Sequence, residues 1–254
     1  MCLILFAYQT HPDYPLVVIA NRDEYYARPT ENAGWWDGND IFAGRDLDAG
    51  GTWLGVNRSG QFTAVTNVRE PHNAQVAVKS RGELTRNFLR DHLDPETWLK
   101  QLQPDDHDYA GFNLLLGSPS DLWFYSNREQ KMRALEPGIF GVSNGTFDEP
   151  WPKLKSGRQA LTELIGDSWD TEQLMAILAS ETLASDDDLP NTGVTLEIER
   201  RLSSRFIRSP DYGTRASTVV TFDHTGRVNF IEQNFLNSDT RGERVAASFD
   251  TTGN

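Results

Sequence analysis

Cysteine is all but missing from this 254-residue chain, which has one, at position 2. That count excludes an internal disulfide and any metal site built from several thiolates. Histidine is almost as scarce. His11, His72, His92, His107 and His224 form no i, i+3 or i, i+4 pair and no HExxH, which argues against a preformed zinc site. No CxxCH is present, so haem is not attached covalently in that way. No apolar run approaches the 18 or so residues of a membrane span. The opening MCLILFAYQTHPDYP has a short apolar stretch and no basic residues before it, unlike a signal peptide, so a cytoplasmic location is expected. Positive charge is also in deficit, with 24 Lys and Arg against 37 Asp and Glu and a net charge of −13. Nucleic acid and anionic membranes are poor partners for such a chain. There is no low-complexity linker and no fixed-period repeat, so one domain spanning residues 1–254 is expected. A hydrophobic content of 38% suffices for its core.

The lone cysteine is placed where it can do chemistry. An initiator Met is normally removed when the second residue is small, and Cys2 would then carry a free α-amine beside its thiol. An amine with a pKa of roughly 7.7–8.0 can act as base for its own nucleophile. The plainer reading is a small buried hydrophobe on a first strand.

Periodicity and turn residues lay out the elements. CLILFAY (2–8) and PLVVIAN (15–21) read as buried strands of a hairpin. A Gly- and Trp-rich connection follows, in which TWLGVN and QFTAVTNV form a strand pair. Ser80 and Glu83 have capping-box spacing and open a helix through His92, and a short helix starts near Pro95. GFNLLLG, LWFYSN, KMRAL and GIFGVSN read as four strands. Helices are expected over 150–164, 171–181 and 194–205, and STVVTFD and VNFIEQNF are the closing strands. Blocks of strands and helices without βαβ alternation predict an α+β fold with antiparallel sheets.

The second strand runs into Asn21, Arg22, Asp23 and Glu24, a dense polar cluster. With Cys2 leading the first strand, GVNRSG, and a strand ending in Asn67, it is similar in order and spacing to the choloylglycine hydrolase and penicillin V acylase group of N-terminal-nucleophile hydrolases. The NRDE string, GRDLDAGGTWLGVN, SNGTFDEPWPKL, LPNTG and YGTRAST resemble the NRDE-motif family, that of the transport and Golgi organization protein, over nearly the whole chain. The resemblance implies an αββα sandwich. It also implies Cys2 as nucleophile, Asp23 holding the α-amine, Asn67 and Asn144 near the oxyanion or the amine, and Arg215 near the thiol. The hydrolases carry another arginine three residues before the aspartate, where this chain has Ala20.

Alternation along a strand puts Asn21 and Asp23 on one face and Arg22 and Glu24 on the other. The expectation is that the first pair faces the thiol, while Arg22 and Glu24 pair with each other or with residues that surround the site. Asn21, Arg22, Trp35 and Trp53 are candidate binding residues. Trp35, Trp36, Tyr25 and Tyr26 are candidates for an apolar wall, although core packing is the default for aromatics. Gly50, Gly51 and Gly55 fit no phosphate loop and read as turn glycines. Two functions follow. One is cleavage of an amide or thioester of a small acyl substrate, with no cofactor. The other, which the family resemblance implies, is haem binding and trafficking, or acyl-CoA and lipid handling, without catalysis. In that case Cys2 or a histidine would ligate the haem iron.

Overall fold

The computed structural model describes residues 2–38, 40–70 and 77–252. Met1 and His72, each given a role above, lie outside them. Strand β1 (Cys2–Tyr8) is buried throughout, because its alternate side chains serve two cores. Leu3, Leu5 and Ala7 pack against helices, while Ile4, Phe6 and Tyr8 face a second sheet. Such two-sided burial turns a strand into a continuous apolar run.

Next come β2 (Leu16–Tyr25), β3 (Thr30–Trp35), β4 (Ile41–Asp46), β5 (Leu54–Asn57) and β6 (Phe62–Asn67). Helices α1 (Gly82–Asp91) and α2 (Pro95–Leu102) precede β7 (Phe112–Ser118), β8 (Asp121–Ser126), β9 (Lys131–Ala134) and β10 (Gly138–Val142). The chain then forms α3 (Pro152–Ile165), α4 (Thr171–Leu178), α5 (Leu196–Arg201), β11 (Tyr212–Phe222), β12 (Arg227–Phe235) and β13 (Arg241–Asp250). One sheet has the order β10-β1-β2-β11-β12-β13 and the other β3-β4-β5-β6-β7-β8-β9. All neighbours are antiparallel. One apolar core lies between the sheets, a second joins α1 and α2 to the β4–β8 sheet, and a third joins α3 and α4 to the β1–β2 sheet. The fold is therefore the α+β sandwich expected, with helices outside both sheets.

Three expectations change. The second strand does not break at the polar cluster but runs through it to Tyr25. Strands β3, β4 and β13 are not predicted by the periodicity. Their alternation is diluted by glycines, exposed charges and, in β13, the small Ala246 and Ala247. Helix α1 begins at Gly82 with no side-chain cap; Ser80 meets Glu83 only through its backbone carbonyl. Among the described residues no helix is long and apolar enough to cross a membrane.

Candidate functional site

Strand register decides which side chains surround the thiol. Cys2 lies opposite Arg22, and Leu3 opposite Asn21. Directly paired residues point to the same face. Arg22 therefore shares the inter-sheet face with Cys2, whereas Asn21 and Asp23 project toward the helices. The alternation was expected; the face was not. Asn21 donates to the carbonyls of Leu178 (3.0 Å) and Arg205 (2.7 Å) and accepts from the Ser217 hydroxyl at 2.6 Å. It braces the sheet against the α4 end and does not line the cavity beside Cys2.

Asp23 remains close to Cys2 through its backbone, whose N–H donates to the thiol sulfur. Its carboxylate is buried and accepts the Thr214 hydroxyl at 2.8 Å, and its carbonyl accepts the Tyr212 hydroxyl at 3.1 Å. Burial pushes the Asp23 carboxyl up, and Lys153 of α3 is the first charge to oppose that. Arg22 does not pair with Glu24. It donates to the Thr30 hydroxyl at 3.3 Å and lies 3.8 Å from Asp46. Asp46 also takes Arg28 at 2.7 Å and the N–H groups of Asp48 and Ala49, which makes the GRDLDAGG stretch a clamp on the arginine cluster.

Arg215 occupies a bulge between the paired residues Thr214 and Ala216. Its guanidinium donates to the carbonyls of Tyr25 (2.9 Å), Tyr26 (3.1 Å) and Arg28 (3.0 Å), fixing the turn after the NRDE residues. Of Arg22 and Arg215, it is Arg22 whose charge acts on the thiol: burial pushes Cys2 up, and Arg22 is among the groups that pull against it. Ala20, where the hydrolases have arginine, is two residues before Arg22 on the same face, so the strand supplies a guanidinium one pleat further along.

Asn67 ends β6 at the wall of a cavity of about 350 Å³ that also touches Cys2, Arg22, Trp53 and Arg215. Asn144 is buried behind it. Its amide donates to the Asn67 carbonyl at 2.8 Å, and Ser143 ties the same segment to the Cys2 carbonyl at 2.9 Å. Asn144 thus holds Asn67 and joins the sheets. Two residues on, Arg69 pairs with buried Glu199 at 2.7 Å, lies over the Trp151 ring, and receives Thr192 as a neighbour. Two separated motifs, SNGTFDEPWPKL through Trp151 and LPNTG through Thr192, meet in that cluster.

The aromatic wall divides. Trp35 packs on Phe42 and Phe249 beneath Arg58, away from the cavity, while Tyr25 packs on Tyr212. Trp53 alone among the tryptophans lines it. No described histidine does; His11, His92 and His224 line a different cavity at the far end of β1. Among the described residues no group of three His, Cys, Asp or Glu side chains could hold a metal.

Lys153, Asp46 and Arg81 are site residues that the sequence reading did not single out. Lys153 and Asp46 lie within the WPKL and GRDLDAGG stretches of the family resemblance. Lys153 is buried, and burial pulls its ammonium down to about 8. An unfolded lysine titrates near ~10.4, so between these values the unfolded chain holds more protons than the folded one. Stability relative to a Lys153→Met variant should therefore rise with pH across that window and stay level outside it. Denaturation midpoints of both proteins from neutral to strongly alkaline pH measure this, and a pH-independent difference would contradict it.

The family model described as Transport and Golgi organisation 2 matches residues 1–237. The chain is 35% identical to the Transport and Golgi organization protein 2 homolog of Bos taurus, over 98% of this chain and 99% of that one. It is 33% identical to the Homo sapiens homolog, over 94% and 95%. Among solved structures, a mutant conjugated bile acid hydrolase from Clostridium perfringens superposes with a TM-score of 0.55 at 10% identity, over 98% of this chain and 92% of that one. The Caenorhabditis elegans ortholog of N-acylethanolamine-hydrolyzing acid amidase gives 0.52 at 10% identity, over 86% and 92%. At such identity these two establish the fold, that of the N-terminal-nucleophile hydrolases. Sequence identity along almost the full length goes further and makes the chain a member of the Transport and Golgi organisation 2 family.

Proposed function

We propose that the protein cleaves an amide or thioester bond of a small acyl substrate, using Cys2 as an N-terminal nucleophile. The observation that carries this reading is the Cys2–Arg22 register. It opens the thiol toward a cavity, sets a guanidinium on the thiol's own face, and keeps the Asp23 carboxylate behind the same strand ends. Removal of Met1 frees the Cys2 amine, which takes the thiol proton as sulfur attacks the carbonyl carbon. The Asn67 amide stabilises the oxyanion, a contribution of roughly 3–4 kcal/mol in such sites. The amine then protonates the departing nitrogen or sulfur, and water, deprotonated by the same amine, releases the acid and restores the thiol. Asp23 holds the amine in line, and misplacement by about 1 Å can cost 10²-fold.

The test is intact mass together with turnover across a panel of amides and thioesters. The expected result is a chain lacking Met1 that hydrolyses at least one class, with Asp23→Asn slower by about 10²-fold or more. Retention of Met1 removes the base and sinks the proposal. Haem, acyl-CoA or lipid carriage without turnover has less support, because the described lining offers a thiol but no imidazole and the tyrosine and tryptophan pairs are separated.

A further inference from the structure

The Cys2 cavity reverses the charge balance of the chain. Six of the 24 basic residues line it (Arg22, Arg28, Arg45, Lys79, Arg81 and Arg215), against only five of the 37 acidic ones. Most of these cations are already committed. Arg22 and Arg28 converge on Asp46, Lys79 pairs with Asp108 at 2.8 Å, Arg215 holds three carbonyls, and Arg45 lies over Trp36. Arg81 differs. Among the described residues it donates once, to the Gly111 carbonyl at 3.2 Å, and has no carboxylate partner; Arg45 also lacks one, but it is exposed where Arg81 is half-buried.

Arg81 is also held rigidly. It is the residue from which α1 starts, and the β4–β5 loop docks on that helix end. The Thr52 N–H donates to the Gly82 carbonyl at 3.1 Å, and the Thr85 hydroxyl donates to the Thr52 and Gly82 carbonyls. A Cβ on Gly51 would overlap the Gly82 backbone, so this approach depends on glycine. The positive end of the α1 dipole faces the same cavity wall. Burial pulls the Arg81 guanidinium down, and Cys2 is the first group to oppose it.

We propose that Arg81 determines the specificity of the Cys2 site by binding an oxyanion group, carboxylate or phosphate, carried by the substrate. A guanidinium with most of its donors uncommitted among the described residues suits such a group, which it can bind through two parallel hydrogen bonds. The proposal rests on Cys2 being the nucleophile, and its test is chosen to fail separately from that reading. Cys2 is alkylated with neutral iodoacetamide and with anionic iodoacetate in the wild type, Arg81→Gln and Arg81→Lys. The expected result is an iodoacetate-to-iodoacetamide rate ratio well above that of a free thiol, falling about tenfold in Arg81→Gln and partly restored in Arg81→Lys; a tenfold change is 1.4 kcal/mol. Succinate and inorganic phosphate, as competitors at equal ionic strength, separate the carboxylate and phosphate sources by which one slows iodoacetate more. A ratio unchanged in Arg81→Gln overturns the proposal while leaving the Cys2 reading intact. Should neither reagent modify Cys2, the nucleophile reading falls. Arg81 is then judged by melting temperature, where a shift by succinate or phosphate that Arg81→Gln loses supports it and an equal or absent shift overturns it.

Discussion

Cys2→Ala is expected to abolish hydrolysis of every amide and thioester that the wild type turns over, while the protein still folds. The expectation combines two facts. The thiol is the single sulfur nucleophile in the sequence, so nothing can replace it. It also stands at the edge of an open cavity, so truncation leaves little enclosed void and a small stability cost. Cys2→Ser separates chemistry from structure, because it keeps a hydroxyl and the amine yet attacks far more slowly. Turnover should fall in the order wild type, Cys2→Ser, Cys2→Ala, with melting temperatures within a few degrees of one another. Residual turnover in Cys2→Ala equal to wild type would remove Cys2 from the mechanism. Collapse of the melting transition would instead assign the sulfur to packing.

Glu199→Ala should lower the unfolding free energy by about 3–5 kcal/mol, the usual consequence of removing one member of a buried ion pair. Glu199 and Arg69 are almost fully enclosed, with side chains 4% and 7% exposed. Loss of the carboxylate leaves a guanidinium in a low-dielectric setting where burial already pulls it down and Glu199 is the first group holding it up. It also strands the Thr192 N–H, which donates to Glu199 at 2.9 Å. Glu199→Gln keeps that acceptor and should lose less. Replacing both partners by apolar residues, as in Arg69→Met with Glu199→Leu, should recover much of the loss. Urea unfolding of the four proteins measures it. A single-variant loss under about 1 kcal/mol, the value of a surface pair, would show that the cluster is hydrated. Because the Arg69 N–H donates to the Asn144 carbonyl at 2.8 Å, the same variant should also loosen the brace behind Asn67.

The fold was largely legible because its inner strands are buried on both faces or alternate cleanly, as CLILFAY and STVVTFD do. Of the edge strands, β9 and β10 were legible as KMRAL and GIFGVSN, but β3 and β13 were not. In β13, Val245, Ala247 and Phe249 turn inward, but the intervening residues are charged or small and the stretch reads as a tail. At the site, the residues that converge were legible from motif order, while their directions were not. The hairpin register pairs Tyr8 with Leu16 and so carries Cys2 to Arg22. A slip of one residue would have exchanged the faces, and the loop QTHPDYP does not announce its register. Arg81 was hidden for another reason. Its proposed role comes from what fails to pair with it among the described residues, which no local pattern records.

The sheet containing β1 and β2 is a partition. Thiol, Arg22 and the cavity lie on one side of it, and Asp23, Lys153 and the helix layer on the other. Side chains at the cavity and side chains at the helix layer are thus interleaved in sequence but segregated in space. At the polar end of β2, substitutions at Arg22 and Glu24 alter the cavity wall, whereas substitutions at Asn21 alter the bracing behind it. Neighbouring residues of one strand can therefore vary independently, because each answers to a different layer of the sandwich.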